Sequence, residues 1–270
     1  MKKLMLVLVL CLTAIFAFAG CGGADKAADN GKAVIKVGAT PVPHAEILNV
    51  VKPMLEKEGV TLDIVEMTDY VQLNVALSDK EIDANFDQHK PYLEDFCAQR
   101  NLNLVSVAPI HIEPMGVYSK KIKTLADLKA GATVAIPNDP TNGGRALLLL
   151  AKQGIITLKD GVTITASVAD ITSNPKNINI TELEAPQLPR ALDDVDIAVI
   201  NTNFAMEADL IPMRDAIAME DKDSPYANIV VVRGGDESRP EIQKLVKALT
   251  SPEVKKFIEE KYKGSIVTAF

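Results

Sequence analysis

From residue 33 onwards, short runs rich in β-branched residues alternate with longer stretches whose apolar residues recur at helical spacing. Residues 34–39 are typical of a strand, and residues 44–58 carry apolar side chains with a helical period that ends before Gly59. The same alternation continues to two predicted helices at 240–249 and 252–262. Such an order of elements predicts an α/β protein built on parallel sheet.

The predicted elements fall into two similar units. Strands and helices at 33–115 are followed by a second series at 116–230, and the apolar strand predicted at 229–233 leads back towards the first unit. We therefore predict two lobes, one formed by residues 33–115 plus 231–270 and the other by residues 116–230. A cleft between two lobes is the expected place for a ligand.

The N-terminus has the form of a secretory signal. Lys2 and Lys3 precede an apolar run at 4–19, which is shorter than the roughly 20 residues of a membrane-spanning helix. Residues 18–21 (Phe-Ala-Gly-Cys) resemble a bacterial lipobox, in which Cys21 becomes the acylated first residue. We predict a signal peptide at 1–20 and a lipidated flexible tether at 21–32, which would anchor the protein to a membrane of the cell envelope, facing outside the cytoplasm. The alternative is a secreted protein with an incidental cysteine.

Composition and motifs argue against two functional classes. The chain has 29 Lys plus Arg against 36 Asp plus Glu, a net charge of -7, which disfavours nucleic-acid binding. It lacks the short motifs of zinc proteases, serine hydrolases, nucleotide-binding loops and Cys-x-x-Cys sites. Its three histidines, His44, His89 and His111, are widely spaced in sequence. We therefore predict neither an enzyme nor a bound metal or cofactor.

Aromatic side chains concentrate between residues 70 and 96, and several surround a polar segment at 85–92 that follows a predicted strand. Open α/β sheets place ligands at such strand ends. Two other interpretations of this segment stay open from the residues alone. Phe86 and Tyr92 are equally consistent with core packing and His89 with a helix cap, whereas Asp87 and His89 would be the acid/base pair of an envelope enzyme.

A second polar segment, residues 137–145, lies between a predicted strand and a helix predicted to begin at Arg145. Backbone N–H groups at a helix start favour an anion, and the guanidinium of Arg145 could clamp a carboxylate in a bidentate manner. The alternative is a turn-rich loop with Arg145 in solvent. Asn201 and Asn228 lie at the ends of other predicted strands, and their amides offer both a donor and an acceptor to a ligand.

Several separated motifs, taken in order, resemble the methionine-binding lipoprotein (NlpA/MetQ) family: the lipobox, VGATPVPHAEIL, NFDQHKPYL, IPNDPTNGGRALLLL, LEAPQLPRAL, AVINTNFA and SPYANIVVVR. The resemblance implies a two-lobe periplasmic-binding-protein fold. It also implies a substrate-binding component of an ABC importer, which captures methionine between its lobes and delivers it to permease and ATPase subunits in the membrane.

The resemblance also implies roles for individual residues. Four of them, Tyr70, Phe86, His89 and Tyr92, match positions around the ligand side chain. Arg145 matches the partner of the α-carboxylate, Asn201 and Asn228 match polar residues that fix the amino-acid backbone, and Asn142 is a weaker match. Asp87 departs from the pattern, since many members carry an aromatic residue there. The alternative ligands are a methionine-containing dipeptide and another apolar amino acid, and an acidic adhesin without a ligand is a further alternative.

Overall fold

A computed structural model describes residues 33–270 of the chain. The predicted signal peptide at 1–20, the lipidation site Cys21 and the tether at 21–32 lie outside the described residues. Within residues 33–270, no helix has both the length and the apolar character needed to cross a membrane.

The strands of the described chain are β1 (Ala33–Ala39), β2 (Val60–Glu66), β3 (Ala84–His89), β4 (Leu104–Ile112), β5 (Gly116–Tyr118), β6 (Thr133–Pro137), β7 (Thr157–Leu158), β8 (Ile171–Ser173), β9 (Asn179–Leu183), β10 (Ile197–Ile200), β11 (Ala218–Met219), β12 (Ala227–Arg233) and β13 (Val267–Thr268). The α-helices are α1 (Glu46–Lys57), α2 (Tyr70–Ser78), α3 (Lys90–Arg100), α4 (Pro140–Lys152), α5 (Leu188–Ala191), α6 (Thr202–Glu207), α7 (Pro212–Asp215), α8 (Pro240–Leu249) and α9 (Pro252–Tyr262).

The strands form two main sheets. The first has the order β13-β4-β12-β3-β1-β2, and the second has the order β11-β5-β10-β6-β9. Both are mixed rather than purely parallel: β12 is antiparallel to β3 and β4, and β5 is antiparallel to β10. The prediction of parallel sheet is therefore correct only for the βαβ part of each sheet, because the returning strand β12 enters between β3 and β4 from the opposite direction.

Each sheet has its own apolar core. The buried face of α1, with Ile47, Leu48, Val51 and Leu55, packs with residues of α8 and α9 against the first sheet. Helix α4 packs its leucines against the second sheet. Full burial of one leucine or isoleucine contributes about 1.5 to 3 kcal/mol to folding stability. The buried faces of these helices therefore fix the helices on their sheets.

The chain passes between the two sheets twice. It leaves the first sheet after β4 and returns with β12, which pairs along its length with β3 and β4. Because β12 begins at Ala227, the chain re-enters the first sheet before residue 231, the boundary predicted from the sequence. The division into two lobes at the predicted boundaries stays a prediction.

Candidate ligand-binding site

A cavity of about 20 Å³ lies between elements of the two sheets. This volume holds about one water molecule, so a larger ligand requires the elements around the cavity to move apart. The cavity is lined by Tyr70, Asp87, Gln88, His89, Tyr92, Glu113 and Asn228 from the elements of the first sheet and its crossing segment, and by Asn142, Arg145, Asn201 and Thr202 from those of the second. Seven of the eight residues predicted from the sequence are thus brought to one cavity.

Phe86 is the exception among the predicted site residues. It does not line the cavity; its fully buried side chain belongs to the core of the first sheet. There it packs against the imidazole of His44, edge to face, with ring centroids 4.7 Å apart. The core role left open by the sequence is therefore the one that Phe86 has.

The sequence predicted a helix that begins at Arg145, but the helix begins five residues earlier. Helix α4 begins at Pro140, whose fixed backbone suits a first helical position, and Asp139 caps it by accepting a hydrogen bond from the Asn142 backbone N–H at 2.8 Å. Gly143 and Gly144, which are typical of a loop in sequence, lie inside the helix. Gly144 permits close packing there, because a Cβ at this position would overlap the Ile164 carbonyl oxygen. Asn142 and Arg145 therefore project from a regular helix.

Three groups of the protein hold the Arg145 guanidinium. Nε and Nη2 donate to the Glu220 carboxylate at 2.8 and 2.6 Å, and Nη2 also donates to the Glu113 carbonyl oxygen at 2.8 Å. The guanidinium carbon lies 4.3 Å from the ring centroid of Tyr226, a cation–π contact. Among residues 33–270, Nη1 has no hydrogen-bond acceptor, so Arg145 offers a ligand carboxylate this nitrogen rather than a bidentate edge.

His89 caps helix α3 and also reaches across the cavity. Its Nδ1 accepts the Tyr92 backbone N–H at 3.2 Å, so the proton lies on Nε2, which donates to Asn142 Oδ1 at 3.1 Å. Burial, followed by the nearby charge of Arg145, lowers the pKa of His89 to about 3. With both ring nitrogens engaged, His89 is a neutral structural and lining residue and not the acid/base partner of Asp87.

The asparagines of the cavity differ in whether the protein already uses their amide groups. Asn142 accepts from both His89 and Asn201 Nδ2 and donates to Asp139, so its amide is fully used by the protein. Asn201 Oδ1 is buried without a donor in the described part of the chain. Asn228 Oδ1 accepts from His44, whereas its Nδ2 has no acceptor among residues 33–270.

Beside the cavity, the fold joins residues that are distant in the sequence. His111 Nε2 donates to Glu113 Oε1 at 2.6 Å, and His44 Nε2 lies 3.3 Å from the same oxygen. Three ligand atoms from His44, His111 and Glu113 lie within 4.8 Å of one another, so these residues could hold a metal ion. The widely spaced histidines gave no sign of this cluster, and its hydrogen bonds fix Glu113 at the cavity wall.

Desolvation sets the charge states of this cluster. It lowers the pKa of His44 to about 4 and that of His111 to about 3, and it raises the pKa of Glu113 above its ordinary range. The charge of Arg145 and the backbone N–H of Asn203 act in the opposite direction on Glu113 and favour its carboxylate form. Glu113 therefore supplies an acceptor, with neutral histidines behind it.

The cavity therefore combines three kinds of recognition. Arg145 Nη1 and Asn228 Nδ2 are free donors for a carboxylate, while Asn201 Oδ1 and Glu113 are acceptors for an ammonium group. The rings of Tyr70 and Tyr92, with centroids 5.8 Å apart, supply an aromatic wall. This set suits an α-amino acid, since it offers separate partners for both charges and an apolar surface for a side chain.

Known proteins resemble this chain over nearly its whole length. A family profile described as NlpA lipoprotein matches residues 35–270. The D-methionine-binding lipoprotein MetQ of Salmonella typhi is 47% identical over 253 residues, which cover 93% of this chain and 92% of the relative.

Two solved structures share the fold. A nutrient-binding protein from Burkholderia cenocepacia bound to methionine has a TM-score of 0.85 and 52% identity, covering 87% of this chain and all of that one. A periplasmic substrate-binding protein of an ABC transporter from Coxiella burnetii has a TM-score of 0.84 and 44% identity, with coverage of 87% and 100%. The predictions of a periplasmic-binding-protein-like fold and of a protein without enzymatic activity are confirmed, and the envelope-enzyme alternative is wrong. The chain belongs to the NlpA lipoprotein family of substrate-binding proteins.

Proposed function

We propose that this protein is the lipid-anchored substrate-binding component of an ABC importer, which captures methionine between its two sheets and delivers it to the membrane permease. The observation that carries the proposal is that one cavity holds donors for a carboxylate and acceptors for an ammonium group beside aromatic rings. The names of the Salmonella and Burkholderia proteins support methionine as the ligand.

The cavity suggests a division of labour among its residues. The α-carboxylate would take Arg145 Nη1 and Asn228 Nδ2, and the ammonium group would take Asn201 Oδ1 and Glu113. The side chain would then lie against Tyr70, Tyr92 and His89, where a thioether gains from aromatic contacts and burial. In this proposal Asn142 holds His89 and Asn201 in place by hydrogen bonds. Phe86 packs against His44, which in turn contacts Asn228.

Binding would also draw the two sheets together. Two side-chain hydrogen bonds already join elements of the two sheets: Tyr70 Oη donates to Asn203 Oδ1 at 2.6 Å, and His89 donates to Asn142. A ligand held by Arg145 on one side and Tyr92 on the other favours the closed arrangement, because only that arrangement permits both contacts. The permease would recognise this closed form, and an ATPase subunit would drive transport.

The location follows from the predicted lipid anchor at Cys21. Acylation there and a flexible tether at 21–32 would hold the binding domain at the outer face of a membrane of the cell envelope. A fatty-acid label should therefore be incorporated into the wild-type chain and not into a Cys21→Ala variant. Equal labelling of the two chains would contradict the anchor.

The ligand is tested by thermal unfolding of the chain from residue 22 onwards, after a denaturing step that removes bound ligand. A ligand present at a hundred times its dissociation constant stabilises the folded state by about 2.7 kcal/mol. We expect methionine to raise the melting temperature. A shift only with a methionine-containing dipeptide or another apolar amino acid would change the substrate, whereas no shift with any of them would contradict a substrate-binding function.

A further inference from the structure

Asp87 occupies an irregular position in the sheet, next to the proposed ligand. Strand β3 pairs with β12 so that Gln88 lies opposite Ile229 and Phe86 lies opposite Val230, and the register shifts between them. Asp87 is thus the extra residue of a β-bulge and has no partner across the strand pair. Bulges beside functional sites commonly redirect a side chain, and Asp87 lines the cavity.

The carboxyl group of Asp87 is unusual because it has no hydrogen-bond partner within residues 33–270, and burial raises its pKa well above the ordinary range. Asp87 is 3% exposed, and within the part of the chain that the structure describes neither of its oxygens has a hydrogen-bond donor. Leaving a buried polar group without a partner costs about 1 to 3 kcal/mol, and more when the group is charged. By contrast, the buried capping carboxylate of Asp139 accepts hydrogen bonds from Thr141 and Asn142. A donor from outside the chain would supply what Asp87 lacks.

The surroundings of Asp87 suit a positive charge. The rings of Tyr70 and Tyr92 line the same cavity, and aromatic faces attract cations. Arg145 is the one permanently charged cation among the lining residues, and its guanidinium is already paired with the Glu220 carboxylate. His89, the neighbouring imidazole, is neutral because its Nδ1 accepts a backbone N–H.

The two charges of an α-amino acid do not account for Asp87. Arg145 Nη1 and Asn228 are available for the carboxylate, and Asn201 and Glu113 are available for the α-ammonium group. After these partners are assigned, one carboxylate remains, and it lies in the same cavity as the rings of Tyr70 and Tyr92. Its partner would then be a group on the ligand side chain.

We propose that Asp87 determines side-chain specificity and makes the aromatic end of the cavity a cation site, so that the protein also binds α-amino acids whose side chains carry a positive charge. This inference rests on the proposed capture of an α-amino acid and extends its ligands beyond methionine. The charge could come from a side-chain ammonium group, as in ornithine, or from a sulfonium group, as in S-methylmethionine.

Titration calorimetry of the protein, refolded without ligand, tests the proposal with methionine, norleucine, ornithine and S-methylmethionine. We expect at least one cationic ligand to bind about tenfold or more tightly than norleucine, and the Asp87→Asn variant to lose that advantage over norleucine. Asp63→Asn is the matched control, because it removes an exposed carboxylate from the same sheet. Tighter binding of ornithine would identify an ammonium side chain as the ligand class, and tighter binding of S-methylmethionine would identify a sulfonium side chain.

Two failures are distinguishable. If methionine binds wild-type protein but neither cationic ligand binds better than norleucine, or if their affinities are the same in wild-type and Asp87→Asn protein, the cation site is wrong and the proposed function stands. If no amino acid binds wild-type protein, the proposed function itself is wrong. Loss of methionine binding in Asp87→Asn together with all other ligands would also overturn a role confined to side-chain charge.

Discussion

At the scale of single residues, Arg145 shows what chemistry can be predicted from a sequence and what cannot. Its side-chain type suits a carboxylate, and the structure places it in the cavity at 3% exposure. The sequence could not reveal that Glu220, 75 positions further on, occupies its Nε and Nη2. Contacts between distant residues depend on the tertiary fold, and local patterns carry no information about them.

Arg145→Ala should weaken methionine binding by about 2 to 5 kcal/mol, because it leaves the ligand carboxylate buried without its charged partner. Titration calorimetry measures the change. Arg214→Ala is the control, since Arg214 pairs with Asp215 at the surface, with 63% of its side chain exposed. An Arg145→Ala variant with wild-type affinity would remove this residue from the ligand site.

All three histidines of the chain should remain neutral across the physiological pH range. Burial lowers the pKa of His44 to about 4 and the pKa values of His89 and His111 to about 3. Unfolded chains bind these protons near pH 6.5, so the histidines' contribution to folding stability is complete above that pH and is lost progressively as the pH falls below it.

Nuclear magnetic resonance of the imidazole groups between pH 5.5 and 8 measures their protonation. We expect no titration step in this range and, for His89, a proton on Nε2 rather than on Nδ1. The denatured protein provides the control, because its histidines should titrate near pH 6.5. A folded-state midpoint near that value for any of the three would contradict the buried, hydrogen-bonded environments.

At the scale of elements, periodic segments were predictable and segments with special packing were not. Helices α8 and α9 have the bounds expected from their apolar period and N-terminal prolines. Helix α4 begins earlier than predicted, because Asn142, Gly143 and Gly144 are typical of loops in sequence but serve close packing here. The bulge at Asp87 was equally hidden, since it depends on the register with β12.

The cap of helix α4 should couple helix stability to ligand binding. Asp139→Ala removes the acceptor for the Asn142 backbone and side chain, which should cost about 1 to 2 kcal/mol of unfolding free energy. It should also weaken methionine binding, because the Asn142 amide no longer holds Asn201 and His89 in place. Denaturant unfolding and calorimetry measure the two effects.

Ser251→Ala provides a matched control for this prediction. Ser251 caps α9 by accepting the Val254 backbone N–H, and it does not line the ligand cavity. This variant should lose stability without losing affinity. Equal losses of affinity in the two variants would show that global destabilisation, rather than the position of Asn142, controls binding.

At the scale of the whole molecule, the alternation of strands and helices was sufficient to predict an α/β fold, whereas the two lobes with a site between them stay a prediction. The mixed strand directions were not predictable, because antiparallel insertion of β12 depends on how the chain returns from the second sheet. The same return places Asn228 beside His89 across the strand pair and so completes the cavity. The return of the chain into the first sheet through β12 therefore also contributes a residue to the site.

A crystal structure of the protein with methionine tests the central claim most directly. We predict one methionine in the cavity between the sheets, with its carboxylate about 3 Å from Arg145 Nη1 and its side chain against Tyr70 and Tyr92. Methionine bound elsewhere, for example in the surface groove between Lys90 and Pro225, or a cavity that stays free of ligand at saturating methionine, would contradict this account.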